Sequence, residues 1–351
     1  MDLALLEDFD YTLPKNRIAQ VPQNKRDKSR LLVYHRSSSA IEHAYFSNII
    51  SYCDKDDLFI FNDTMVFNAR VLGKRIDTGG TIELLLSRPV DKNIWECLLN
   101  PGKRVREGMC YSFGDGLILG EVLSLRGSGL FYMKLCYKGD LFLLLDRIGK
   151  VPLPPYIKRP KRNEKKDSDF TRYQTVYAKN RGACAAPTAG LHFSKRILSQ
   201  FDSAEIRRKY VTLHVGLGTF QPLRKTTISE NRLHQEYFKI TADVASSVNR
   251  AIKNDKKVFI VGTTTLRALE SSIDKKGKIV SGEGWTDIFI YPPYNFKINY
   301  NLITNFHLPK SSLMLLVASL ISRDELLYIY NEAKKNKYRF YSYGDAMMIM
   351  D

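Results

Sequence analysis

The chain has 351 residues, 44% hydrophobic and 26% charged, which excludes a disordered chain and leaves room for two domains or one large domain with an insertion. Lysine and arginine number 54 against 37 aspartate and glutamate, a net charge of +17. That excess favours a polyanionic partner, most simply a nucleic acid.

Near the start, Glu7, Asp8 and Asp10 interrupt any apolar run, and no basic segment precedes them, so a secretory leader is not expected. Leu58-Phe-Ile-Phe61 is continuously apolar and ends at Asn62-Asp63, as in a parallel-sheet strand buried on both faces. Short strand candidates follow at 81–86, 94–99, 117–119 and 130–135. Gly79-Gly80, Pro101-Gly102, Gly108, Gly114, Gly116 and Gly127 punctuate them, which suggests a small β-barrel. The Pro-rich stretch 149–155 closes this region, and 158–169 reads as a charged connection.

After it α/β character returns. Residues 211–215 alternate, with Val211, Leu213 and Val215 on one face and Thr212 and His214 on the other. Val215-Gly-Leu-Gly-Thr-Phe220 is either a binding loop or an ordinary bulge. Residues 257–261 form a second buried-strand candidate, and Leu266, Leu269 and Ile273 mark a helix face. Between them, Val261-Gly-Thr-Thr-Thr-Leu-Arg267 is either a carboxylate- or phosphate-binding turn or a plain Thr N-cap. His307 precedes a helix capped by Ser311 or Ser312. The apolar run 313–321 is too short to span a bilayer and suits a buried helix. Leu326, Tyr330 and Ala333 mark another helix, and the aromatic–polar alternation over 338–345 is either a base-stacking platform or a closing strand. The predicted architecture is an α/β core, residues 1–68 and 153–351, with a small closed β-barrel inserted at 69–152.

Five cysteines, none in CxxC spacing, fit reduced thiols in the cytoplasm. Six histidines without an HExxH or His-x-His pattern give no basis for a metal site. The least ordinary segment is Gly182-Ala-Cys-Ala-Ala-Pro-Thr-Ala-Gly-Leu-His-Phe193. Small side chains let backbone approach a ligand closely, so this segment is expected to cradle one.

That segment, and Phe9-Asp-Tyr-Thr-Leu-Pro14, Arg26-Asp-Lys-Ser-Arg-Leu-Leu32, Pro152-Leu-Pro-Pro-Tyr-Ile157, Arg172-Tyr-Gln-Thr-Val-Tyr-Ala178 and Leu302-Ile-Thr-Asn-Phe-His-Leu-Pro309, come in an order that spans the chain. Together they resemble the S-adenosylmethionine:tRNA ribosyltransferase-isomerase family of queuosine synthesis. The resemblance implies the same core-plus-barrel fold. It implies transfer and isomerisation of the ribosyl moiety of S-adenosylmethionine onto 7-aminomethyl-7-deazaguanine at the tRNA wobble position, with adenine and methionine released. The implied partner is tRNA, with no metal and no membrane, and the protein is expected to be a cytoplasmic monomer. Met65, Asn68, Thr171 and Cys184 depart from the family pattern.

Such a reaction needs a base for the carbon beside the sulfonium and an acid for the departing adenine. Candidates are His192, His214, His307, Asp63, Glu236 and Asp345, and His192 and His214 are favoured because each adjoins a glycine-bearing loop. The cofactor pocket is assigned to Pro187, Thr188, Gly190, Gly216, Gly218, Thr219, Gly262, Thr263, Thr264 and Arg267. Binding of tRNA is assigned to Arg70, Lys74, Arg75, Lys158, Arg159 and Arg339, with Tyr343 as a stacker.

Overall fold

The computed structural model describes residues 5–127, 129–159, 166–216, 218 and 223–351. Its core is a nine-stranded mixed sheet, in spatial order Gly282–Thr286, Glu236–Ile240, Arg207–Leu213, Leu58–Asn62, Val258–Val261, Asn301–Asn305, Ala346–Met350, Arg30–His35 and Ala40–Tyr45. The third to sixth of these are mutually parallel. Leu58–Asn62 is buried at all five positions because its alternating side chains enter two separate cores. Leu58 and Ile60 face helices Ala242–Lys253, Thr263–Glu270, Ser312–Ile321 and Arg323–Lys335, whereas Phe59 and Phe61 face helix Lys195–Ser203. On that second side Phe59 stacks on Phe259 with ring centroids 4.6 Å apart.

Strand direction decides where chemistry can gather. The four parallel strands end together at Leu213, Asn62, Val261 and Asn305. Ala346–Met350 runs antiparallel to Asn301–Asn305, so it begins at the same edge, and Arg30–His35, parallel to it, begins there as well. Loops from six strands therefore meet at one rim, the usual place for ligands on such sheets.

Six strands close into a barrel in the order Leu130–Tyr137, Ile94–Asn100, Thr81–Asp91, Arg70–Arg75, Cys110–Phe113 and Ile118–Leu125. Ile118 and Val122 point inward while Leu119 and Leu123 point out. Phe113, Met133, Leu84 and Leu86 fill the interior. This is the closed barrel expected from the short, glycine-punctuated strands.

Three local expectations shift. The strand over 211–215 is Arg207–Leu213, so His214 lies just beyond its end. Ile273 falls outside helix Thr263–Glu270. Residues 338–345 are an irregular segment with one isolated bridge, Phe340 to Ile18, rather than a strand or an open platform, and Tyr338, Phe340, Tyr341 and Tyr343 are all buried. Among the described residues, no helix is long and apolar enough to cross a membrane, and no group of three or more His, Cys, Asp or Glu could hold a metal ion.

Candidate active site

A cavity of about 230 Å³ opens at the rim where the parallel strands end. One wall is the small-residue stretch Ala185-Ala-Pro-Thr-Ala189 and another is Gly262-Thr-Thr264. Gly262 caps helix Thr263–Glu270 at φ 93°, ψ 148°, a conformation that residues with side chains rarely adopt. The bend turns the helix start, with its unpaired N–H groups, toward the rim. Gly262→Ala is expected to cost about 1–3 kcal/mol through backbone strain, because the added Cβ would sit 3.6 Å from Ala189 Cβ, an ordinary contact. Urea denaturation would show this, and a loss below about 0.5 kcal/mol would contradict it.

Tyr156, Tyr173, Phe306 and Tyr341 supply aromatic surface, with the Tyr156 and Tyr341 rings 4.8 Å apart. Burial pushes the phenols of Tyr156 and Tyr341 up to about 12, so both remain protonated at neutral pH. No carboxylate lines this cavity among the described residues.

A buried hydrogen-bond chain fixes the polarity of the wall. Asn305 Nδ2 donates to Tyr341 O at 3.2 Å and to His192 Nε2 at 3.2 Å. Its Oδ1 accepts from Thr188 Oγ1 at 2.9 Å. His192 Nδ1–H then donates to Ser29 Oγ at 2.7 Å, and Ser29 donates onward to Arg26 O. Thr188 has spent its proton, so toward the cavity its oxygen can only accept. Burial holds His192 down to about 3, hence neutral, with Arg339 and Arg26 adding to the effect.

Only some of the assigned residues meet here. Pro187, Thr188, Gly262, Thr263 and Thr264 line the cavity. Gly190 lies outside the lining; a side chain there would strike the Tyr177 hydroxyl. Gly216 donates its N–H to Glu236 Oε1 at 2.8 Å, and Arg267 forms a buried ion pair with Glu236 behind the helix start. Gly218 lies against His234. Thr219 lies outside the described residues.

His192 and His214 also stand outside the cavity lining. Both ring nitrogens of His192 are engaged within the protein. His214 Nδ1 meets Thr64 Oγ1 at 2.8 Å, its ring stacks on Tyr237, and burial lowers its pKa against the opposing pull of Asp63. Asp63 itself is held by Asn180 and Thr212. The imidazole that borders the cavity is His307, whose Nε2 lies 2.9 Å from Thr304 Oγ1, another lining residue. Burial brings His307 down to about 3. The sequence placed His307 before a helix cap, and Ser311 does cap helix Ser312–Ile321, but only the fold shows which way the rim faces.

The residues assigned to tRNA divide into two groups. Arg70, Lys74 and Arg75 lie on a barrel strand, where Arg70 pairs with Glu83 at 2.8 Å and Arg75 with Asp77 at 2.7 Å, leaving Lys74 exposed. Arg159, Arg339 and Tyr343 gather beside the core rim, and Lys158 is exposed next to them. Arg159 grips Asp169 with two 2.8 Å bonds. Tyr343 is 3% exposed and meets Tyr173 edge-on, so its ring face is not open to a base. Cys184 is a buried thiol donating to Leu86 O and Ser87 O, and burial raises its pKa, which makes it inert packing.

Asn305, Thr304, Tyr156 and Ser342 at the rim were missed as functional residues, although all four lie in segments already singled out, 152–157, 302–309 and 338–345.

Comparisons with known proteins point to one family. A sequence family described as queuosine biosynthesis protein matches residues 6–349. A protein from Halothermothrix orenii named S-adenosylmethionine:tRNA ribosyltransferase-isomerase is 46% identical over 345 residues, covering 98% of this chain and 99% of its own. One of the same name from Clostridioides difficile is 44% identical, covering 97% and 98%. The crystal structure of an S-adenosylmethionine tRNA ribosyltransferase from Thermotoga maritima matches with a TM-score of 0.55 at 32% identity, covering 97% of this chain and 99% of that one.

Proposed function

The chain belongs to the queuosine biosynthesis protein family, and from that premise we propose that it is an S-adenosylmethionine:tRNA ribosyltransferase-isomerase. It transfers and isomerises the ribosyl moiety of S-adenosylmethionine onto 7-aminomethyl-7-deazaguanine at the wobble position of tRNA, leaving epoxyqueuosine-tRNA, adenine and methionine. It works in the cytoplasm as a monomer. The observation that carries this reading is the rim cavity, with backbone-rich walls, aromatic faces and a helix start.

Each part of the substrate has a fitting partner there. A sulfonium cation is attracted to the faces of Tyr156 and Tyr341, which remain neutral. The amino-acid carboxylate suits the N–H groups at Thr263 and Thr264. Thr188, fixed as an acceptor, suits an ammonium or amine.

Proton movement falls to the Thr304–His307 pair, because it joins a hydroxyl and a neutral imidazole at the cavity wall. His192 acts from behind that wall by holding Asn305, and through it Thr188. His214 fixes Thr64 beside the ends of the central strands. Net charge of +17 favours the approach of tRNA. The wobble nucleotide must leave its stack to reach a walled cavity.

The test is direct. Protein incubated with S-adenosylmethionine and tRNA bearing the aminomethyl base should release adenine and methionine in equal amounts and convert the nucleoside. S-adenosylhomocysteine with a methylated base would indicate a methyltransferase instead, and absence of any product would indicate a non-catalytic RNA-binding protein.

A further inference from the structure

Beside the large cavity lies a much smaller hollow, about 20 Å³, that shares Ser342 with it. It is lined by three arginines that come from distant parts of the chain, Arg26, Arg172 and Arg339, together with Ser29, His192 and Tyr343. This volume admits one oxygen atom but not a whole anionic group.

Each guanidinium is anchored by backbone carbonyls along part of its edge. Arg26 donates to Leu191 O at 3.1 Å and Thr171 O at 2.9 Å. Arg172 donates to Asn24 O at 2.9 Å and to Gln23 O. Arg339 donates to Val21 O at 3.3 Å. What remains is unsatisfied: Arg172 Nε, Arg339 Nε and Arg339 Nη2 are buried and meet no hydrogen-bond acceptor among the described residues. Arg36, Arg75, Arg207 and Arg267 also carry one such nitrogen each, but Arg172 and Arg339 share a single hollow and have three between them, all of them donors without an acceptor.

The neighbouring carboxylates do not fill the deficit. Asp169 is held by Arg159 and also accepts from the Tyr343 hydroxyl. Asp345 accepts from the backbone N–H groups of Arg30 and Arg339, and its nearest oxygen stands 3.5 Å from Arg339 Nη2 without a hydrogen bond. Among the described residues, Arg339 is the one lining arginine with a carboxylate at ion-pair distance, Asp345, and Arg26 and Arg172 have none. His192, the other titratable group at the hollow, is neutral. Arg26 is pushed down to about 10, first by burial and then by the charge of Arg172.

We propose that Arg26, Arg172 and Arg339 form an oxyanion-binding site that takes one oxygen of a phosphodiester or carboxylate whose remainder stays outside the hollow. Guanidinium forks suit such oxygens, and the carbonyl anchors fix them in place before the ligand arrives. Two sources fit: a tRNA phosphodiester next to the extruded nucleotide, or the methionine carboxylate of S-adenosylmethionine reaching past Ser342 instead of resting on the N–H groups at Thr263 and Thr264. Both sources rest on the ribosyl-transfer reading, whereas the site itself does not.

The test uses Arg172→Lys/Arg339→Lys, which keeps both charges and removes both forks, with the melting temperature followed to monitor folding. Dissociation constants are measured for tRNA by filter binding and for S-adenosylmethionine, without tRNA, by equilibrium dialysis. A loss of tenfold or more for tRNA alone identifies the phosphodiester, and the same loss for S-adenosylmethionine alone identifies the carboxylate. Both constants within twofold of wild type in a folded variant would overturn the site. Should the variant fail to fold, inorganic phosphate serves as the probe on wild-type protein. It should weaken binding of one substrate more than chloride does at equal ionic strength, and equal effects would overturn the site. Wild-type protein that binds both substrates but releases no adenine would sink the ribosyl-transfer reading and leave the oxyanion site standing.

Discussion

His307→Asn is expected to lower kcat by about 10²–10⁴ while the affinity for S-adenosylmethionine changes little. The backbone of His307 is anchored independently of its ring: Tyr11 donates to its carbonyl, and its N–H donates to the Tyr330 hydroxyl at 2.8 Å. The variant should therefore keep the shape of the rim and lose only the imidazole facing Thr304. Single-turnover measurements with saturating tRNA would separate chemistry from binding, and near-normal turnover would remove His307 from the mechanism. Because burial holds this imidazole at about 3, it is neutral over the whole working range. The pH profile of kcat/KM for the wild type should then lack an acidic limb near 6.5.

A stability consequence follows from the same burial. His192 and His307 both have folded-state values of about 3 against an ordinary 6.5. As pH falls below 6.5 the unfolded chain takes up protons that the folded chain refuses, so stability declines, by up to about 1.4 kcal/mol per pH unit for each ring. His307→Asn should shed one ring's share of that decline.

The second large effect is expected at the ion pair between Arg267 and Glu236, where the two side chains are 6% and 4% exposed. Arg267 is on helix Thr263–Glu270 and Glu236 on strand Glu236–Ile240, so the pair ties the helix behind the cavity to the sheet. Arg267 also donates to Ile288 O at 3.2 Å, and Glu236 accepts from Gly216 N. Arg267→Met strands a buried carboxylate and should cost about 3–5 kcal/mol in urea unfolding. Arg267→Met with Glu236→Leu removes both charges and should be markedly less damaging than Arg267→Met alone. A single-variant loss under about 1 kcal/mol would show that the pair is not sealed from water.

Much of the molecule could be read locally. Leu58-Phe-Ile-Phe61 predicted a strand buried on both faces, because only helices on both sides leave no polar position along a strand. The glycine spacing over 79–127 predicted the barrel. The 185–189 stretch and Gly262 marked two walls of the cavity, since a close backbone and a positive φ demand particular residues wherever they occur.

The identities of the imidazole and the anion site could not be read that way. His192, His214 and His307 look alike in sequence, each close to a loop with small or capping residues. What separates them is whether Asn305, Thr64 or the open rim meets the ring, and that depends on strands ending together from positions as far apart as Asn62 and Asn305. Arg339 was assigned to tRNA from the sequence, but Arg26 and Arg172 were not; the parallel pairing of Arg30–His35 with Ala346–Met350 brings the segments of Arg26 and Arg339 together, and the bonds of Arg172 to Gln23 O and Asn24 O add the third to one hollow. Side-chain size and backbone permissiveness are properties of a residue and its chain neighbours, so the sequence determined the elements, the barrel and the cradle. Desolvation and hydrogen-bond partnership are properties of what surrounds a group in space, so the tertiary structure alone decided which imidazole faces the cavity and which guanidiniums are left without an acceptor.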